Sequence, residues 1–281
     1  MIYISSASAK KTIISQSIQF LAENGFTSIE LSGGTRYYPG YIEDLKKLQK
    51  AYKLKYIFHN YFPPPLEDFV LNLASLNNDT YQKSFEHIRQ AILLSQDFHI
   101  DKYGFHAGFL MDIDLKEIGR QINYKPIFDI EKSMERFCEA FNQLKALTNS
   151  VDLYLENNVF SHKNALEFRG KNPFMLTDYD SYLALKKKIN FKLLLDIAHL
   201  KVSVNSLNID FENQLEKMMN ETDYIHVSEN NGLEDENRFF SKNSDLLNRL
   251  KEFDLRGKDI TLEIYGDIDS IKTSYELVSK L

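Results

Sequence analysis

Short β-rich runs alternate with amphipathic segments eight times along the 281 residues, and that alternation constrains the fold more than any other feature. The strand patterns fall near 2–5, 28–31, 55–59, 102–106, 151–156, 191–196, 223–228 and 259–265. Between them, KKTIISQSIQFLAENG sets Ile14, Ile18 and Leu21 on one helical face with Ile13 and Phe20 along its edge, and Gly25 follows as a natural stop. NDTYQKSFEHIRQAILLSQ opens with a capping-type Asn/Asp/Thr cluster, and DIEKSMERFCEAFNQLKAL repeats the design. No linker, low-complexity tract or break in composition interrupts the series. The pattern predicts one (β/α)8 TIM barrel over residues 1–281 rather than two domains.

Six of the runs end in a residue able to bind a metal: KYIFHN at His59, YGFHAG at His106, LYLENN at Glu156, KLLLDIAH at Asp196, DYIHVSEN at His226 and ITLEIYG at Glu263. Asp, Glu and His together make 47 of 281 residues, so chance would supply roughly one or two such residues at eight strand ends. A parallel barrel gathers its C-terminal strand ends around one mouth, which turns this excess into a candidate site. The connections at 60–78, 107–128, 157–177 and 229–242 are long and all follow such ends, as pocket-building loops do. Pro63, Pro64 and Pro65 stiffen the first of them, which reads equally as a wall over the mouth or an inert surface loop.

The net charge of −6 and the absence of a basic run beyond Lys186–Lys188 leave no electrostatic footprint for nonspecific nucleic-acid binding, although a local basic groove remains compatible with it. No apolar stretch approaches the roughly 20 residues that span a bilayer, and the N-terminus opens directly as a strand without a signal-peptide pattern. The lone Cys138 excludes an internal disulfide and sits in a helical pattern as a core thiol, which points to a reducing compartment. The expectation is a soluble, cytoplasmic, globular protein.

Three carboxylates and one imidazole, Glu156, Asp196, His226 and Glu263, come from four consecutive strands. Such a set suits a divalent cation, Mn²⁺, Mg²⁺, Co²⁺ or Zn²⁺. Taken singly, each residue reads equally well as a satisfied polar group at a strand end. Together they can hold a cation that polarises a sugar carbonyl, beside carboxylates that move the acidified proton. His199, three residues after Asp196, falls on the same side of a first helical turn and is a second ligand, a substrate contact or the orienter of Asp196. His59 and His106 flank Glu156, which could bridge to a second metal; His87, His99 and His162 read as structural.

The strand ends, with the run FHNYFPPPLEDFVLNLAS, resemble the xylose isomerase-like TIM-barrel superfamily over about residues 25–265. That group holds sugar isomerases, ketose 3-epimerases, inosose dehydratases and endonuclease IV-type nucleases. The epimerase likeness implies one metal on Glu156, Asp196, His226 and Glu263, with the two glutamates exchanging the substrate proton. The nuclease likeness implies a three-metal set of His59, His106, Glu156, Asp196, His199, His226, Asp235 and Glu263, completed by a histidine two residues after Asp235. Asn237 stands there instead. The arginine that ketose epimerases place six residues after the metal histidine is replaced by Gly232, with Arg238 the nearest basic residue. Arg36 in SGGTRYYPG is a candidate phosphate contact, for DNA or a phosphorylated sugar. The expected activity is a metal-dependent isomerase or epimerase of a small sugar, polyol or sugar phosphate, with His199, Arg36, His59, His106 and Arg238 as substrate contacts. The alternatives are a nuclease acting on abasic DNA and a metal-free barrel serving as a binding module. Barrels of this kind often pair, but no stretch of the sequence marks an interface.

Overall fold

A computed structural model describes residues 1–281. Eight parallel strands close into a barrel in sequence order: β1 (Ile2–Ser5), β2 (Ser28–Leu31), β3 (Lys55–His59), β4 (Lys102–His106), β5 (Asp152–Glu156), β6 (Lys192–Asp196), β7 (Tyr224–Val227) and β8 (Asp259–Leu262). Ten α-helices surround it: α1 (Ile14–Glu23), α2 (Tyr41–Tyr52), α3 (Asn78–Asp97), α4 (Ile130–Lys145), α5 (His162–Glu167), α6 (Tyr179–Lys186), α7 (Ile197–Leu207), α8 (Phe211–Met219), α9 (Asp245–Leu250) and α10 (Ile268–Val278). This is a TIM barrel, as the alternation predicts. No helix is long and apolar enough to cross a membrane.

The strands read as near-continuous apolar runs because helices cover the outer face while the barrel fills its own interior. In β6, every residue from Leu193 to Asp196 is buried. Gly104 leaves room at the axis: a Cβ there would come within 2.8 Å of Leu194 and 3.3 Å of the His59 ring. Helix starts are specified locally. Asn77 Oδ1 accepts from the Asp79 and Thr80 N–H groups at α3, and Asp129 accepts from Lys132 N–H at α4. At α7 the cap is Asp196 itself, accepting from His199 N–H at 2.7 Å.

Two differences from the sequence reading bear on the mouth. Strand β8 ends at Leu262, so Glu263 stands one residue past the ladder, and the 157–177 connection contains α5. Pro63 and Pro64 are buried and none of the three prolines lines the mouth, so the wall there is built by Tyr61 and Leu71 instead.

Candidate metal centre

Parallel register fixes which side chains meet. His106 pairs with Glu156 across β4 and β5, and Asp196 with His226 across β6 and β7, each pair at the C-terminal end of its strands. Glu156 is fully buried at the centre: His59 Nε2 lies 2.7 Å from Oε2, His106 Nδ1 3.4 Å from Oε2, His226 Nδ1 3.4 Å from Oε1 and His199 Nδ1 3.6 Å from Oε1. His226 Nδ1 is also 3.6 Å from Glu263 Oε2, and His199 Nε2 is 3.3 Å from Asp235 Oδ2. The six strand-end residues, His199 and Asp235 therefore form one cluster. Arg36 and Arg238 do not join it. Both are exposed and line no part of the cavity, and Arg238 pairs with Glu236.

Above the cluster opens a cavity of about 330 Å³. His59, His106, His199, Asp235 and Glu263 line it, whereas Glu156, Asp196 and His226 lie beneath its floor. Glu263 is the most open of the four expected ligands, and the Tyr265 hydroxyl donates to its Oε1 at 3.0 Å. Phe109, Ile113, Ile118, Ile122 and Phe174 give one side of the cavity an apolar wall, with Arg120 the one arginine in its lining.

Charge decides how protons are shared. Burial alone would favour neutral imidazoles, and at His106 it prevails, lowering the ring to about 4 against the pull of Glu156. At His226 burial is overcome by Glu30, Glu156 and Glu263, and at His199 by Asp196 and Asp235, so both rings are pushed well above their ordinary value. Burial would raise Glu156, but the neighbouring His106 and His59 rings, the hydrogen bond from His59 and the nearness of His226 hold it well below the carboxylate range. Asp196 is raised to about 7 by burial, only partly offset by His199.

One participant escaped the sequence reading. Glu30, fully buried on β2, accepts from the Tyr224 hydroxyl, from Thr261 Oγ1 at 2.8 Å and from Ser32 Oγ at 3.1 Å, and lies 2.9 Å from His226 Nε2. Its other oxygen is 3.6 Å from His59 Nδ1. The signal was present as a carboxylate between Ile29 and Leu31 in an otherwise apolar strand, one residue short of the strand end.

Comparison with known families supplies the next observation. The family described as xylose isomerase-like TIM barrel matches residues 18–281. The chain belongs to that family. Curated proteins give no match by sequence. Among solved structures, a D-tagatose 3-epimerase-like protein is similar with a TM-score of 0.72 and 21% identity, covering 99% of this chain and 96% of that one. D-psicose 3-epimerase from Clostridium cellulolyticum H10 is similar with a TM-score of 0.63 and 14% identity, covering 99% and 91%. A family 2 AP endonuclease from Brucella melitensis gives 0.64 and 14%, covering 96% and 95%. At these identities the likeness is one of fold.

The residues present fit a metal ion of the kind the family holds. Five of the buried polar atoms that lack any partner, His59 Nδ1, His106 Nδ1, His226 Nδ1, Glu156 Oε1 and Asp235 Oδ1, belong to this cluster. Buried polar atoms are normally paired, so this concentration fits residues able to hold an ion. The sets His106–Glu156–His199, Glu156–Asp196–His226 and Glu30–His59–His226 each bring donor atoms within 4.8 Å of one another. Where the family's two branches diverge, this chain has its own local structure. Asn237 Nδ2 donates to Asp235 Oδ2 at 3.3 Å and its Oδ1 accepts from Ser228, so the amide is engaged within the loop. Gly232 has φ +77° and a Cβ there would meet Asn205 at 2.5 Å, so an arginine at this position would be strained and crowded.

Proposed function

We propose that the protein is a metal-dependent isomerase or epimerase of a small sugar, polyol or sugar phosphate. The observation that carries this reading is the meeting of Glu156, Asp196, His226 and Glu263 at the floor of a cavity of sugar-sized dimensions, with Glu156 Oε1 and His226 Nδ1 left unpartnered. Those four residues would hold the cation, and the chemistry it supplies when bound is polarisation of a carbonyl oxygen, which acidifies the adjacent C–H. Glu263, open to the cavity, takes the proton; the hydroxyl of Tyr265 occupies its Oε1 and leaves Oε2 as the base. Glu156, with Oε1 unpartnered, is the second member of the acid/base pair. His199 and His106 face the cavity as contacts for substrate hydroxyls, and the apolar wall excludes water from the reacting face. The test is turnover by Glu156→Gln and by chelator-treated protein on a panel of ketoses. Both are expected to lose activity by at least about a hundredfold with an unchanged circular dichroism spectrum. Full turnover in Glu156→Gln would remove the glutamate pair from the mechanism.

The closeness of His199 to Asp235, with His106 stacked at 5.6 Å on His199, favours a second reading as a nuclease on abasic DNA. Clean, chelator-sensitive incision of an abasic duplex would replace the isomerase reading.

A further inference from the structure

Beside the metal-centre cavity lies a basin of about 230 Å³ between the loops that follow β1 and β2. The two hollows share Ala7, Gly33, Gly34 and Tyr265 in their linings, so they adjoin. Lys10 and Lys11 line it. Their ammonium groups lie 5.8 Å from the Tyr265 ring and 4.4 Å from the Phe20 ring, and neither forms a salt bridge. Thr35, also lining the basin, is 8% exposed and its hydroxyl oxygen has no partner. The backbone on either side is satisfied, Ser32 N–H by Ser6 Oγ and Arg36 N–H by Thr12 O. The N–H groups of Gly33, Gly34 and Thr35 have no acceptor in the protein. Free amides in a glycine-bearing turn, a spare hydroxyl and two unpaired cations make a cradle for an oxyanion. The adjoining cavity differs in its lining, with Glu234, Asp235 and Glu263 beside three histidines and Arg120.

We infer that this basin binds a phosphate monoester carried by the sugar, so that the substrate of the neighbouring site is a phosphorylated rather than a free sugar. The inference rests on the isomerase reading for its second half only. Tyr265 joins the two halves, its hydroxyl on Glu263 and its ring beside Lys10. Arg36, on the same loop as the amides, lies outside both hollows and takes no part.

The test is titration of chelator-treated protein with inorganic phosphate, followed by calorimetry. Lys10→Ala/Lys11→Ala is expected to weaken binding at least about tenfold and Thr35→Val several-fold. Arg120→Ala, which removes the one arginine of the larger cavity, is expected to leave it unchanged. No binding by the native chain, full binding by the double variant, or loss on Arg120→Ala would each overturn the assignment. With metal restored, solvent-deuterium exchange into D-fructose 6-phosphate is compared with exchange into D-fructose. Exchange into the free sugar alone overturns the inference and leaves the isomerase reading standing. Basin-dependent phosphate binding with exchange into neither sugar overturns that reading and leaves the basin an anion site.

Discussion

Glu30 shows what a single buried carboxylate does for the residues around it. A carboxylate only accepts, so the His226 Nε2 that faces it at 2.9 Å must carry hydrogen, and Nδ1 is left to face Glu156 and Glu263. The same carboxylate sits 3.6 Å from His59 Nδ1, so its charge is felt by two rings of the cluster. Partners of this kind commonly change metal affinity about 10–100-fold when removed. Glu30→Gln is expected to weaken metal binding at least about tenfold in a competitive chelator titration while the far-ultraviolet spectrum is retained. Equal affinity would reduce Glu30 to a purely structural group. The titrating groups add a second expectation. His199 and His226 are raised by their carboxylates and Asp196 is raised to about 7 by burial, so the metal-free cluster holds protons near neutrality. A cation must displace those protons, so metal affinity rises with pH through about 6 to 8 and uptake acidifies a weakly buffered solution. Affinity that is flat across this range, with no proton release, would contradict the shared-proton picture.

At the scale of elements, the loops around the mouth are held by buried asparagines rather than by secondary structure. Asn158 Nδ2 reaches Ala107 O at 2.9 Å, Met175 O at 2.8 Å and Gly108 O at 3.3 Å, tying together the loops after β4 and β5. Asn72 accepts from Phe109 N–H and donates to Phe109 O, and Asn157 exchanges two bonds with the backbone of Asp196. Asn72 and Asn157 each supply a donor and an acceptor to distant backbone, and Asn158 supplies donors alone. Helices α3 and α4 were legible because capping and apolar spacing are local, and the strand ends because a ligating residue closes each run. The amide staples were not legible. An Asn in a loop looks the same in sequence whether it faces solvent or three carbonyls from another connection, and the cavity walls depend on those distant pairings. Asn158→Ala leaves buried carbonyls unpaired and is expected to cost about 1–3 kcal/mol in urea unfolding. A change smaller than about 0.5 kcal/mol would mean that water replaces the amide without loss.

The whole molecule divides its labour between the two ends of the barrel. Strands β4 and β8 are diametrically opposite in the closed order, yet Lys102 Nζ, at the start of β4, lies 2.6 Å from Asp259 Oδ2 at the start of β8. The ammonium also lies 5.5 Å from the Tyr154 ring and 5.8 Å from the Tyr224 ring, and the N-terminal amine reaches Asp259 Oδ1 at 3.0 Å. This closes the end of the barrel opposite the candidate metal centre with an ion pair across its axis. Variation of the loops at the C-terminal face, with stability kept at the other, is how such barrels vary their activity without losing their fold. Lys102 and Asp259 side chains are 16% and 20% exposed, so the pair is partly desolvated and its loss is felt more than that of a surface pair. Lys102→Met keeps the aliphatic stem and removes the charge, leaving Asp259 with the N-terminal amine alone. It is expected to lower stability by about 1–3 kcal/mol in chemical unfolding. Because Lys102 starts the strand that His106 ends, the same variant is expected to bind metal at the other end with unchanged stoichiometry and affinity. Metal affinity that falls in step with stability would show instead that the two ends of the barrel are coupled through β4.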